Sequence, residues 1–343
     1  MPIPYKAEFF DRNFNCTLFS VIGEPEIKMD YLTLDKTSIT LRNPTSVAEI
    51  SRGWYCQITQ GKTVIFQGTV ASVSQSRNAT TVQLLPLIAM FDVQLYKDRT
   101  TYSKKNLEGW IAQVLTENFI NSGDSVQNIP GFSVTAKTST DGIALNLVDN
   151  IHDFWDDIAK KAIENAKIVI SCRFDPQSKT IAAEVTSYAK QSEITIEADL
   201  PNVIDQQFHL RDDWGSTNKC IVINQDKESE QQTFYATDYA APTNCRIEYV
   251  TVSSGETFAD VAKDKSEELL KKSEFDNLIE LQFRANDALV PDISIGHPGR
   301  IIKNGTVYHT VLTGFTRKSG RKTLIFGGVR VDLTKILKLK GAI

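Results

Sequence analysis

The chain has 343 residues, 41% of them hydrophobic and 23% charged, and 38 Lys and Arg against 42 Asp and Glu leave a net charge of −4. This ordinary globular composition excludes collagen-like repeats and extended disorder, and the acidic balance argues against a protein whose main task is gripping phosphate backbones. The longest apolar run, 84–91, is too short to span a bilayer and contains Pro86, and the first residues (MPIPYKAEFFDRNFN) lack a basic region followed by an apolar core, so neither a span nor a secretory leader is expected.

Residues 1–103 read as β. Short β-branched or aromatic runs at 31–34 (YLTL), 38–41 (SITL), 54–59 (WYCQIT), 63–66 (TVIF), 69–73 (TVASV) and 81–85 (TVQLL) alternate with turn formers such as Asn43 with Pro44, Gly61 with Lys62, and Arg77 with Asn78. Strands this closely spaced predict a small barrel or sandwich. The texture changes over 104–198. Leu107, Trp110, Ile111, Val114, Leu115 and Phe119 share one face at helical spacing, and a second helix is predicted over 151–166 from Ile151, Trp155, Ile158, Ala159, Ala162 and Ile163. A strand at 132–136 (FSVTA) lies between them, and 168–174 and 180–186 flank a hairpin turn, DPQSK, at 175–179.

From 199 onward the chain returns to β, with strands at 219–224, 232–237 and 246–252. A helix over 257–272 interrupts them, opened by Thr257 with Asp260 three residues on. Its apolar face is Phe258, Val261, Ala262, Leu269 and the stem of Lys265, while Glu267 with Lys271 and Glu268 with Lys272 pair four apart. Strands 300–303 and 306–312 flank Asn304 and Gly305, the signature of a type I′ hairpin, and 322–326 (KTLIF) follows. The expected class is α+β and β-rich: two similar small β-barrel domains, 1–103 and 199–343, flank an α+β domain, 104–198, with helix 257–272 packed on the second barrel. The strands of 199–250 belong to that second barrel or complete the first. Gly61 and Gly305, 244 residues apart, open similar layouts of long strand, Ser-containing loop and following strand, which suggests two copies of one barrel plan.

Nothing in the sequence assembles a catalytic, cofactor or metal site. Gly61-Lys62-Thr63 mimics the end of a phosphate loop, but Cys56 stands where the first glycine is required and strands flank the motif. The histidines, His152, His209, His297 and His309, have no metal-ligand spacing, and Cys16, Cys56, Cys172, Cys220 and Cys245 form no CxxC pair and read as reduced thiols. The segment 151–157 (IHDFWDD) gathers His152, Asp153, Asp156 and Asp157, which a helix dipole accounts for. One helix turn does not place two carboxylates across a cleft as glycoside cleavage demands.

The segments 299–308 (GRIIKNGTVY) and 311–315 (VLTGF) resemble the closing barrel of the tail hub (Tal, or baseplate hub) proteins of tailed bacteriophages and prophages. Residues 218–224 with 234–238 resemble the family's strand pair before its helix, and 153–161 (DFWDDIAKK) its middle domain. The resemblance implies a non-enzymatic homotrimer in which three chains with two barrels each form a near-sixfold ring on the hexameric tail tube. That ring would enclose the channel through which the tape-measure protein and DNA leave. The implied partners are the tube or distal tail protein and a tip or fibre protein, with no stable membrane association. The implied location is the virion tail tip, after assembly in the host cytoplasm. Relatives that continue into a cell-wall peptidase keep peptidoglycan cleavage as an alternative. A chain ending at 343, with alternating apolar and Lys residues over 335–340, is instead expected to use its end as an attachment. A glycan-binding module is the third alternative, for which Trp214 in the 211–215 turn is the candidate.

Overall fold

The computed structural model describes residues 4–41, 50–96, 102–143, 145, 147, 151–210, 217–243, 245–253, 257–270, 276–285 and 293–329. The first unit contains β1 (Tyr5–Phe10), β2 (Cys16–Ile22), β3 (Ile27–Asp30), β4 (Thr37–Leu41), β5 (Tyr55–Gln60), β6 (Thr63–Gln75) and β7 (Thr80–Pro86). Six of these close a barrel in the order β1-β2-β4-β7-β6-β5, with β5 pairing back onto β1. Strand alternation turns Ala7, Phe9, Ile39, Leu41, Ile58, Phe66, Val70, Val82 and Leu84 into its core.

Two sequence expectations change here. Residues 31–34 form a turn instead of a strand: the Asp30 carboxylate accepts the N–H groups of Leu32 (2.9 Å) and Thr33 (3.1 Å), and Leu34 takes a φ of 50°. The runs at 63–66 and 69–73 are one thirteen-residue strand, β6. The turn at Asn43 and Pro44 lies outside the described residues.

The middle unit contains β8 (Gln94–Tyr96), α1 (Leu107–Phe119), β9 (Phe132–Ala136), β10 (Ile151–Asp153), α2 (Lys160–Ala166), β11 (Ile168–Asp175) and β12 (Thr180–Ser187). Strands β11-β12-β9 form one sheet and β10 pairs with β8. The helix expected from 151 therefore starts later. Residues 151–153 pair as a strand, Asp153 caps the following turn, and a π-helical turn over Phe154–Ala159 leads into α2. The core of this unit reaches into its neighbours. It includes Phe10, Phe14, Tyr31 and Tyr55 from the first barrel and Val311 and Val329 from the last unit.

The last unit contains β13 (Ile194–Glu197), β14 (Asp205–His209), β15 (Lys219–Asn224), β16 (Gln231–Tyr235), β17 (Ile247–Val252), α3 (Phe258–Leu270), β18 (Leu278–Arg284), β19 (Pro298–Lys303), β20 (Thr306–Lys318) and β21 (Arg321–Gly327). Seven strands make one sheet, β13-β19-β20-β21-β18-β14 with β3 added on β20. Strand β14 thus joins this sheet, and the first barrel is completed by its own β1 and β2. The helix is a correction. Instead of lying on the second barrel, α3 packs on a separate three-stranded sheet, β16-β15-β17. There Phe258 and Ala262 meet Cys220 and Val222, with Phe234, Val252, Leu269 and Leu270 around them. Alternation explains the choice, since Cys220 and Val222 turn one apolar face of β15 toward the helix. Lys271, Lys272 and the side chain of Glu268 lie outside the described residues.

Candidate functional site: matched barrels and their exposed faces

The residues singled out for chemistry do not converge. Asp153 accepts the N–H groups of Trp155 and Asp156 (3.1 Å each), Asp157 accepts the N–H of Asp153 (2.9 Å), and Asp156 pairs with Lys160. These carboxylates order a helix start. His152 is buried on β10 opposite Leu95. Gly61 and Lys62 form the tip of the β5–β6 hairpin, with no helix behind them. His309 pairs with Glu193 at 2.9 Å, and the His297 ring packs on Tyr188 (4.8 Å), where burial lowers its pKa. Among the described residues no three His, Cys, Asp or Glu side chains gather as metal ligands. All five cysteines are free; burial pushes the Cys172 thiol up to about 12 and raises that of Cys56 further. Trp214 lies outside the described residues. A carboxylate absent from the sequence reading, Glu108, is fully buried and held by Thr138 (2.7 Å) and Thr140 (2.7 and 2.8 Å), which pins α1 to the loop after β9.

What the fold does build is a duplicated sheet. Strands β4-β7-β6-β5 of the barrel and β18-β21-β20-β19 of the last unit have the same order and the same antiparallel pairing. Strands β5 and β19 have six residues each, β6 and β20 thirteen, and β7 and β21 seven. Each long strand carries a bulge near its middle against the following strand: Ala71 is the extra residue between Val70 and Ser72, and Thr313 between Leu312 and Gly314; β6 has a second one, at Ile65 opposite β5, that β20 lacks against β19. The hairpin tips differ in chemistry. Asn304 and Gly305 both have positive φ, as a type I′ turn requires, whereas in the first hairpin only Gly61 does, the type II′ pattern. A fifth strand also corresponds, β1 beside β5 and β13 beside β19, but β1 is antiparallel to its neighbour and β13 parallel. Among the described residues β13 and β14 are not paired, so the second ring stays open where β1 and β2 close the first.

A seam joins the two copies. Strand β3 leaves the first barrel and pairs with β20, Asp30 opposite Gly314, and a Cβ on Gly314 would stand 2.7 Å from the Met29 carbonyl oxygen. Lys318 bonds Glu26 (2.6 Å), and the Gly320 N–H donates to Glu24 (2.9 Å). Just beyond β3, Tyr31 ties three units together. Its N–H donates to the Thr313 carbonyl (2.9 Å), its carbonyl accepts the Trp155 indole N–H (2.7 Å), and its hydroxyl accepts the Ile170 N–H (3.1 Å). Gln67 on β6 clasps Phe174 through both backbone groups, at 2.6 and 3.0 Å.

Several apolar side chains face outward. On the first barrel Phe19 (50% exposed), Val21 and Val64 do so, with the Lys6 ammonium 5.5 Å from the Phe19 ring. Val64 and Val307 occupy matching places, each the second residue after its hairpin tip, and both are exposed. On the three-stranded sheet, Tyr235, Ile247 and Tyr249 (65% exposed) lie on the face away from α3. The signal for this face was present in IEYVTV, where apolar residues occupy both parities and so cannot all turn inward.

No protein-family model and no curated protein matches the chain. Solved structures do. The tail protein of Neisseria meningitidis MC58 is similar at 11% identity and a TM-score of 0.51, over 94% of this chain and 96% of that one. The 43 kDa tail protein of prophage MuSo2 from Shewanella oneidensis is similar at 12% identity and a TM-score of 0.55, over 94% and 98%. A chain of the phage P2 baseplate in its activated conformation is similar at 13% identity and a TM-score of 0.56, over 96% and 100%. Over nearly its whole length the chain has the β-rich α+β fold of phage tail and baseplate proteins.

Proposed function

We propose that this protein is a structural hub at the distal tip of a phage or prophage tail, a homotrimer whose three chains contribute two barrels each to a near-sixfold ring. The observation that carries the reading is the internal duplication: the same strand order and antiparallel pairing, with three of four strand lengths equal and a bulge near the middle of each long strand. A chain that carries the same barrel plan twice presents two near-equivalent surfaces, and three such chains can meet a sixfold tube without breaking symmetry at every contact. The tail and baseplate fold supports the same reading. The outward Phe19, Val21, Val64 and Val307 supply the apolar area that an obligate ring buries between subunits. A net charge of −4 suits a channel that lets DNA pass without holding it.

In this reading one face of the ring meets the tube or distal tail protein, and the other meets a tip or fibre protein. The tape-measure protein and DNA pass only in transit, and the protein resides in the virion tail tip after assembly in the host cytoplasm. It has no catalytic step: the carboxylates of 153–157 are engaged with backbone N–H groups and Lys160. Negative-stain electron microscopy of the purified protein at high concentration tests this. Threefold rings with a central hole are expected, and compact particles without a ring at every concentration overturn the trimer. Incubation with host cell walls is expected to leave no cleared zone, and clearing would return the peptidase alternative.

A further inference from the structure

The middle unit passes into the last through residues 188–193, and two histidines of the last unit hold the two ends of that crossing. At its start the Tyr188 ring packs on the His297 imidazole, 4.8 Å away and tilted by 41°. At its end the Glu193 carboxylate bonds Nδ1 of His309 on β20 (2.9 Å). The turn that carries His297 is held from both units. Gly296 N–H donates to the Leu312 carbonyl (2.7 Å), Leu312 N–H to the His297 carbonyl (2.9 Å), and His297 N–H to the Ser294 carbonyl (3.2 Å). Toward the middle unit, a Cβ on Gly296 would stand 2.7 Å from Val169 Cγ1 and 3.0 Å from Tyr188 Cδ2, and Ile295 packs on the middle core. The turn therefore has no room to shift with its side chain.

Nδ1 of His297 is sealed from water and has no hydrogen-bond partner. A neutral imidazole tolerates this by carrying its proton on Nε2. An imidazolium donates from both nitrogens, and its Nδ1–H would point at nothing that accepts it. Tyr188 is the titratable group against the ring, and Val169 and Ile295 around the turn are apolar. The charged residues of the same segments are Lys167, Lys190, Glu193 and Arg300. None of them contributes to the lowered pKa of His297, which burial alone causes. The seat on Tyr188 is therefore most stable above the ordinary histidine range and weakens as pH falls through it. The other end responds in the opposite sense, because protonation of His309 turns its bond to Glu193 into a charge-assisted pair. We propose that the 188–193 crossing is a pH-sensitive joint, in which protonation of His297 releases the Tyr188 end while protonation of His309 fixes the Glu193 end. This inference is independent of the hub reading, since both contacts lie within one chain and need no ring.

Hydrogen exchange on the full chain tests it. Deuterium uptake at imidazole C2, followed by mass spectrometry as a function of pH, titrates each histidine without any substitution. His297 is expected to titrate at lower pH in the folded chain than in the chain unfolded by urea, and an equal or higher midpoint overturns the proposal. Backbone exchange, corrected for the intrinsic effect of pH, reads the joint itself. Between about pH 7.5 and about pH 5.5 the amides of Tyr188, Gly296 and Leu312 are expected to exchange several-fold faster while those of Ile39 and Val82 in the first barrel do not change. Equal protection at both pH values overturns it. His297→Phe keeps a ring on Tyr188 without a titrating nitrogen and is expected to abolish the acid response, and an undiminished response overturns the assignment to His297. His309→Gln is expected to leave that response in place and to speed exchange along β13 in mild acid. Unchanged exchange along β13 overturns the Glu193 half of the joint.

Discussion

The two copies of the barrel plan differ most where a third strand crosses one of them. In the first barrel the residue after the bulge is Ser72, exposed; in the second sheet the matching residue is Gly314, buried under β3 with no room for a Cβ. The long bulged strand and its partners are common to both, and what varies is which foreign strand each copy must admit. The first closes on its own β1. The second takes a reversed β13 on one side and β3 from the first barrel on β20, and among the described residues its ring stays open. Duplication thus supplies the shared frame, and single-residue changes at crossing points let the copies dock onto each other.

Among the described residues the seam through Tyr31 has no counterpart in the second copy, so it is the place to strike first. Tyr31→Ala removes a fully buried ring packed 4.7 Å from that of Trp155, and a loss of about 3–5 kcal/mol is expected, read as a lower urea midpoint. Tyr31→Phe keeps the ring and leaves only the Ile170 N–H unpaired, with about 1–3 kcal/mol expected. Next comes the crossing point. Gly314→Ser is expected to cost about 1–3 kcal/mol from overpacking against Met29, whereas Ser72→Gly costs no more than about 1 kcal/mol of backbone entropy. Equal costs would mean that the two bulges are not equivalent frames.

A smaller effect is expected at the rim of the seam. The Lys318 hydrogen bond holds the Glu26 carboxyl below its usual range, so this pair stabilises the fold above the ordinary glutamate pKa and is lost as pH falls through the depressed value. Glu26 is 37% exposed, so Lys318→Met is expected to cost about 0.5 kcal/mol at neutral pH and nothing in strong acid, measured by urea unfolding across pH. Smallest in stability is Phe19→Ser on the outer face of the first barrel, where a change within about 0.5 kcal/mol is expected because the side chain is half exposed. Its effect belongs to assembly: the rings sought by electron microscopy should be lost while the monomer unfolds as before.

Much of the duplication was legible because hairpin signals are local. Gly61, Asn304 and Gly305 announce the turns, and β6 and β20 follow at once. Strands β1 and β2 were not legible. In YKAEFF both Phe9 and Phe10 are buried, because a register irregularity sends Phe10 into the neighbouring core, and in β2 Phe19 and Val21 face outward. Both patterns break the inside–outside alternation on which strand reading rests. The turn at 31–34 was masked by apolar residues that are buried for tertiary reasons, and only Asp30 hinted at it. The seat of α3 was unreadable for another reason. Its apolar face specifies a sheet to lie on, and periodicity names the face without naming the sheet.

Strands β14 and β18 are hydrogen-bonded neighbours with His209 opposite Leu278, yet the unit comprising β15, β16, β17 and α3 lies between them in sequence. The seven-stranded sheet therefore treats 210–277 as the loop of one hairpin, and that loop carries a small hydrophobic core of its own. Such an arrangement makes the unit a cassette. Its two ends leave the host about one strand spacing apart, so it can be exchanged, enlarged or cut down to a tight turn without moving a strand of the sheet.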